Sequence, residues 1–282
     1  MKYNSLVSVI MPAFNHELYI EEALQSIGNQ THKNIELIVI NDGSTDRTAQ
    51  MIEEYIKKNS DKNIKYLNKR NEGVCKTLNK GLEISTGDYI AFLASDDLWL
   101  PDRLAIQLEF MENNKNIGMV FADTWFLNFT SKTNSKWSDY KPQIKNYFKN
   151  GIQNTDLYAL LLTQPLVPAL TVLIRKQVLL EVGFFDEDLV YEDHDLWLRI
   201  AMNYPVGYIH QPLAFYRIHG ANISNDTGFM IRGMFQTVKK HLNMGSFKNK
   251  TMKKMKVICL LTFNLLVNRL KKRSRKLLER SE

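Results

Sequence analysis

Three short apolar runs, each ending in a cluster of polar turn residues, do most to constrain this chain. Leu6-Val-Ser-Val-Ile-Met11 stops at Pro12-Ala-Phe-Asn15, Ile35-Glu-Leu-Ile-Val-Ile40 at Asn41-Asp-Gly-Ser-Thr-Asp46, and Tyr89-Ile-Ala-Phe-Leu-Ala94 at Ser95-Asp-Asp97. Between them lie segments with helical spacing: Glu17–Ile27, with Ile20, Ala23, Leu24 and Ile27 on one face, Arg47–Lys58, and Val74–Ile84. Ile64–Leu67 adds a short strand, and Leu104, Leu108 and Met111 mark a helix after Pro101. The pattern dissolves between about Asn128 and Asn154, and Ala169–Ile174 reads as a further strand. Strands separated by single helices require right-handed βαβ units and a mostly parallel, doubly wound, Rossmann-like α/β sheet. In such a sheet ligands bind outside the carboxyl ends of the strands. All three polar turns then share one edge, and one crevice holds Asn15, Asp42, Asp46, Asp96 and Asp97.

Adjacent carboxylates at the end of a buried strand suit a hard divalent cation, Mg²⁺ or Mn²⁺. An acidic crevice repels bare phosphate, so a phosphorylated ligand there needs such a cation as a bridge. Other nucleotide sites are excluded by pattern. No Gly-x-Gly-x-x-Gly follows the first strand and no Gly-x-x-x-x-Gly-Lys-Ser/Thr occurs, which argues against a dinucleotide site and a P-loop. Paired Cys-x-x-Cys for zinc and a Gly-x-Ser-x-Gly elbow are also missing.

Among the 282 residues the two cysteines, Cys75 and Cys259, fall in different segments, which points to a reducing compartment and no disulfide framework. The chain enters its first strand by Leu6 without a basic-then-apolar leader, and no run is long enough to span a bilayer, so the expectation is a cytoplasmic protein. The net charge of +7 hides an asymmetry, because Phe229–Glu282 holds fifteen Lys/Arg against two Glu. The body is therefore acidic and the tail strongly basic. Within that tail Val257–Val267 is apolar, flanked by Lys253-Lys-Met-Lys256 and Arg269-Leu-Lys-Lys-Arg-Ser-Arg-Lys276. The pattern reads as an interfacial helix drawn to anionic lipid on the inner face of the cell membrane. Packing on the body or on a partner chain is the alternative. Nothing in the body supports nucleic-acid recognition.

Taken together, Val7-Ser-Val-Ile-Met-Pro-Ala-Phe-Asn15, Glu36–Asp46, Gly87–Asp97, Tyr191-Glu-Asp-His-Asp-Leu-Trp-Leu-Arg199 and Tyr216-Arg-Ile-His-Gly-Ala-Asn-Ile-Ser224 resemble the family 2 glycosyltransferases with a GT-A fold. The resemblance runs over about residues 5 to 225 with the blocks in family order. It implies a catalytic domain over residues 1–225 and a basic amphipathic helical tail over 226–282. It also implies an inverting transferase using a nucleotide-sugar donor, commonly a UDP-sugar, with Mn²⁺ or Mg²⁺, and a glycan acceptor, lipid-linked if the tail binds membrane.

The resemblance assigns roles position by position. Pro12 and Ala13 lie along the nucleobase, with Asn15 in the same turn, and Asp42 accepts a hydrogen bond from the base. Arg70 and Asn71 approach the base or phosphate. Asp97 ligates the metal, Asp96 faces the ribose or donor sugar, and His219 stands near the diphosphate or metal. Asp193 is the base, with Asp195 as runner-up. Two departures stand out: Ala94 replaces an acid that many relatives carry, and Thr77-Leu-Asn79 stands where Ala-Arg-Asn is frequent, leaving Arg70 or Lys76 as the phosphate-side cation. Trp125, Trp137, Tyr140 and Tyr147 are candidates to stack on an acceptor sugar. Rival readings are a nucleotidyltransferase making activated sugars and a non-catalytic carbohydrate- or membrane-binding module. The first lacks its Gly- and Arg-rich loop after strand one, and the second needs neither metal nor base.

Overall fold

The computed structural model describes residues 3–128, 135–142, 144, 147–148, 152–153, 155–190 and 192–243. The apolar segment Val257–Val267 and both of its basic flanks thus lie outside the described residues, as does part of the stretch between Asn128 and Asn154.

The first half alternates as expected: β1 (Val7–Ala13), α1 (Ile20–Gly28), β2 (Ile35–Asp42), α2 (Thr48–Lys58), β3 (Ile64–Lys69), α3 (Val74–Ile84) and β4 (Tyr89–Phe92). After the carboxylate turn come β5 (Leu98–Trp99), α4 (Arg103–Asn113), β6 (Met119–Asn128), α5 (Trp137–Tyr140), β7 (Ile152–Gln153) and α6 (Thr155–Leu161). The chain continues through β8 (Leu173–Arg175), α7 (Lys176–Val182), α8 (Glu192–Asn203), β9 (Val206–Ile218) and α9 (Thr227–Asn243). All nine strands join one sheet in the order β3-β2-β1-β4-β8-β6-β9-β5, with β7 on β9. The ladders β1–β2, β1–β4, β2–β3 and β6–β9 are parallel, and the antiparallel ones are only two or three residues long.

Successive residues of the central strands alternate between two apolar layers. Ile10, Ile38, Ile90 and Phe92 pack on one face, and Val9, Met11, Val39 and Ala91 on the other. Burial on both faces is why these strands are continuous apolar runs rather than alternating ones. The chain runs outward from β1 to β3 and returns to place β4 on the other side of β1. That reversal opens the crevice between β1 and β4.

Two local expectations change. β1 does not stop at Pro12 but pairs with β2 through Ala13. Its pairing with β4 ends at Ile10–Phe92, so Pro12 sits where one side of the strand is already free and its missing N–H costs no ladder bond there. Ala169–Thr171 forms a 3₁₀ turn rather than the start of a strand, and β8 then runs antiparallel to β4.

Candidate active site

A cleft of about 830 Å³ opens at the carboxyl edge of β1, β2 and β4. Pro12, Ala13, Asn15, Asp42, Asn71, Asp96 and Asp97 all line it. Three strand ends far apart in sequence therefore converge as the parallel topology requires.

The β1 and β2 turns are bound to each other. Asn15 takes a left-handed backbone (φ 54°), and its side-chain carbonyl accepts the Thr45 N–H at 2.8 Å. The Asn15 N–H donates to Ser44 Oγ at 3.0 Å. Asp42 accepts the N–H groups of Glu72 and Gly73, each at 3.0 Å, and pairs with the Lys69 ammonium. Gly43 (φ 72°) lets this turn approach the next loop, since an added Cβ would lie 2.6 Å from the Asn71 nitrogen. The loop that carries Arg70 and Asn71 is thus clamped to the end of β2. Asn71 reaches the cleft, while Arg70 is exposed and outside its lining. Asp46 is a correction. It accepts the Glu17 and Thr48 N–H groups at 3.0 Å each and is not among the cleft residues, so it caps local backbone instead of binding ligand.

The carboxylate turn is organised by β9. Antiparallel pairing of Leu98 with Phe215 sets Asp96 and Asp97 opposite the end of that strand. The Arg217 N–H donates to Asp97 Oδ1 at 2.9 Å, and Arg217 Nε donates to the Asp96 carbonyl at 2.7 Å. The buried guanidinium also pairs with Glu22 and lies over the Tyr19 ring. His219 Nε2 lies 3.0 Å from Asp96 Oδ2, and His16 Nε2 lies 3.8 Å from the same oxygen. His16 Nδ1 meets Ser95 Oγ at 2.7 Å.

Burial and the neighbouring Asp96 charge push the Asp97 carboxyl well above its usual range. Two carboxylates so placed resist ionising together, and a cation between them removes that penalty. One nitrogen each from His16 and His219 and one oxygen of Asp96 lie within 4.8 Å of one another. Asp97 lines the same cleft and accepts the Arg217 N–H through Oδ1, so its carboxylate is a candidate for a further ligand. The donor set fits a divalent cation. His16 and Arg217 carry no role in the sequence reading. The signal for Arg217 was in Tyr216-Arg-Ile-His219, because residues two apart in a strand share a face with His219.

The far side is built from α8 and the turn before it. Glu187, Leu189 and Val190 line the cleft. Asp193, in the first turn of α8, does not line it. Burial pushes its carboxyl up to about 7 and that of Glu192, with the Asp193 charge beside it, to about 8. Glu192 also helps raise the thiol of Cys75, a cleft residue, so this helix start adjoins the cleft wall. Asp193 Oδ1 and Trp197 Nε1 are both buried without a hydrogen bond of normal geometry. Asp195 is in the opposite condition. Burial works against its charge, but His241, Lys240 and Arg199 outweigh this and hold it far below the carboxylate range. The aromatic candidates for acceptor stacking lie elsewhere. Trp137 donates to the Leu166 carbonyl and packs on the core with Tyr147, Lys136 covers the Trp125 ring, and Tyr140 is exposed outside the cleft lining.

The model of the glycosyl transferase family 2 domain matches residues 8–164, more than half of the chain. The chain belongs to glycosyltransferase family 2. It is 34% identical over 224 residues to an uncharacterized glycosyltransferase of Rickettsia typhi, covering 79% of this chain and 67% of that protein. A Haemophilus influenzae relative of the same description is 32% identical over 229 residues, covering 78% of this chain and 82% of its own length. In a Rickettsia felis relative the match spans only 34% of the protein. Among solved structures, the mannosyltransferase PcManGT from Pyrobaculum calidifontis, in complex with GDP-Man and Mn²⁺, aligns at TM-score 0.72 with 19% identity over 94% of this chain and 71% of its own. S. aureus TarS 1–349 with UDP-GlcNAc aligns at 0.70 with 19% identity over 91% and 72%. The glycosyltransferase thus has the GT-A fold expected from its sequence.

Proposed function

We propose that this glycosyltransferase is metal-dependent and inverting, moving a hexose from a nucleotide-diphosphate sugar, a UDP-sugar in the first instance, to a hydroxyl of a glycan acceptor. The observation that carries the reading is the convergence of Asp42, Asn71, Asp96, Asp97 and the Asp96-facing His219 at one edge of the sheet. Pro12, Ala13 and Asp42 take the nucleobase, and Asn71 lies along the diphosphate. Asp96, Asp97, His219 and His16 are the residues that would hold Mn²⁺ or Mg²⁺. When bound, the ion supplies positive charge against the departing diphosphate.

The chain's own part is to orient and to take a proton. The clamped β1, β2 and 70–73 turns fix the donor before it reacts, which lowers the cost of alignment. Asp193 takes the acceptor hydroxyl proton. Its Oδ1, without a hydrogen bond of normal geometry, can accept one, and a carboxyl raised to about 7 is matched to neutral pH. Because Asp193 is half-buried beside the cleft rather than in its lining, this role requires the start of α8 to turn the carboxylate inward when donor and acceptor bind. The basic tail gives the reading its location, a cytoplasmic enzyme held on the inner membrane face and acting on a lipid-linked glycan in surface polysaccharide assembly. Among the described residues no helix is long and apolar enough to cross a membrane.

Incubation with UDP-GlcNAc, UDP-glucose, UDP-galactose or GDP-mannose and Mn²⁺ tests the reading through slow nucleotide release. Release with at least one donor, abolished by EDTA, is expected. Pyrophosphate-dependent formation of a nucleoside triphosphate would instead favour the nucleotidyltransferase, and no turnover of any donor would favour a binding module.

A further inference from the structure

α9 lies beyond the family-matched residues 8–164, yet its polar side chains converge on the acceptor side of the cleft. Gln236 and Lys240 stand four positions apart and so share one helical face, and His241 follows on the adjacent, fully buried side. Gln236 Oε1 accepts the N–H of Val190 at 3.3 Å. The Lys240 ammonium bridges Asp186 at 2.7 Å and Asp195 at 2.9 Å. His241 Nε2 meets Asp195 Oδ1 at 3.0 Å, and its Nδ1 lies 3.2 Å from Tyr158 OH. Asp195 and His241 are both fully buried. Asp195 also accepts Arg199 Nε at 2.8 Å, and that guanidinium binds the carbonyls of Val182, Gly183 and Phe184. α9 therefore holds the 182–184 end of the segment 182–190 through Asp195 and Arg199, its middle through Lys240 and Asp186, its 190 end through Gln236, and the first turn of α8 through Asp195. Phe229 of the same helix lines the cleft directly.

A buried ion-pair network contributes little stability compared with apolar packing of the same volume, but it fixes one register. Here the register that is fixed belongs to the wall formed by Glu187, Leu189 and Val190, and to the helix start that bears Asp193. We propose that α9 is a positioning strap for the acceptor side of this glycosyltransferase, with Lys240 and His241 as positioning residues that set the α8 start relative to the bound donor. The inference rests on the reading of Asp193 as base. Neither residue touches substrate. Each acts through Asp195 and the 186–190 turn.

The test is made on the full chain with Mn²⁺ and whichever of the four donors above the wild type turns over fastest, following nucleotide release and, separately, affinity for the free nucleoside diphosphate by calorimetry. Lys240→Met should lower kcat about tenfold or more, as misplacement of a reacting group does, with donor KM and nucleotide affinity within about twofold of wild type. Lys240→Arg should restore turnover to within about threefold, since it keeps the charge between Asp186 and Asp195. Wild-type turnover in Lys240→Met, failure of Lys240→Arg to rescue, or loss of nucleotide affinity in step with turnover overturns the strap. Should Lys240→Met melt below the assay temperature, Gln236→Leu decides instead: an approximately fivefold drop in kcat at unchanged nucleotide affinity supports the strap, and wild-type kcat overturns it. Asp193→Asn is run beside these variants. If it keeps wild-type turnover, the base reading fails by itself, and Lys240→Met still decides the strap.

Discussion

The two sides of the cleft treat their carboxylates in opposite ways. On the β1–β4 side Asp42 accepts two backbone N–H groups and a lysine, and Asp96 and Asp97 are held by Arg217 and His219. On the α8 side Asp193 Oδ1 lacks a hydrogen bond of normal geometry, and burial raises its carboxyl to about 7 against the lowering effect of nearby backbone N–H groups and the Trp197 indole. Two residues on, Asp195 is fully buried against two cations, Arg199 and Lys240, and the His241 imidazole. The contrast separates three uses of one side chain. The strand-end acids, with the Asp97 carboxyl raised by burial and by Asp96, hold a site that a cation would complete, Asp195 fixes register between helices, and Asp193 retains the capacity to accept a proton.

The comparison breaks most sharply at the carboxylate turn. Asp96→Ala and Asp97→Ala should each lower transfer by roughly 10³-fold or more, since the metal site supplies several kcal/mol of charge stabilisation. Initial rates with and without EDTA check this, and activity indifferent to both variants and to EDTA would remove the metal from the account.

The next effect is a pH dependence set by Asp193. Below about 7 the buried carboxyl is protonated, so kcat should fall about tenfold per pH unit there and level off above it. A profile that turns over near 4 would show an ordinary exposed carboxyl instead. Linkage gives the matching stability sign. A folded-state pKa raised by burial favours folding fully below the ordinary carboxyl range, and that contribution is lost as pH rises through about 7. Asp193→Asn should therefore melt higher than wild type at pH 8, by about 2–4 °C per kcal/mol recovered.

A smaller effect is expected at the clamp. Gly43→Ala places a Cβ 2.6 Å from the Asn71 nitrogen at a positive φ. Strain of about 1–3 kcal/mol should weaken nucleotide affinity roughly tenfold while leaving kcat at saturating donor within about twofold. Calorimetry with UDP and Mn²⁺ measures the first quantity and saturating rates the second. Smallest is the consequence of removing the residues after Asn243. Donor turnover in solution should be unchanged within about twofold, whereas flotation with anionic liposomes should be lost, each basic residue adding about 1 kcal/mol at the surface. Equal flotation of the two proteins would detach the tail from the membrane.

The fold was legible because parallel strands buried on both faces leave continuous apolar runs, and their ends leave polar turns at fixed positions. The donor-side residues followed, since topology alone puts strand ends on one edge. What stayed hidden were partnerships between residues distant in sequence. Nothing local to Asp46 shows that it caps Glu17 and Thr48 rather than facing ligand. Asp193 and Asp195 look alike in Glu192-Asp-His-Asp195, and beside the local Arg199 it is Lys240 and His241, some 45 residues further on, that tell them apart. The guanidinium of Arg217 reaches Glu22 across 195 residues, a contact made visible only by the β5–β9 pairing.

The division of labour across the cleft is tested most directly by pairing calorimetry of UDP with Mn²⁺ against initial rates for Asp193→Asn and Asp96→Ala. Asp193→Asn should lower the rate by ~10²–10⁴, the usual worth of a positioned base, with UDP affinity nearly unchanged, while Asp96→Ala should lose both. An Asp193→Asn protein that keeps wild-type turnover, or that loses UDP binding as severely as Asp96→Ala, would contradict the separation of donor-binding and proton-accepting sides.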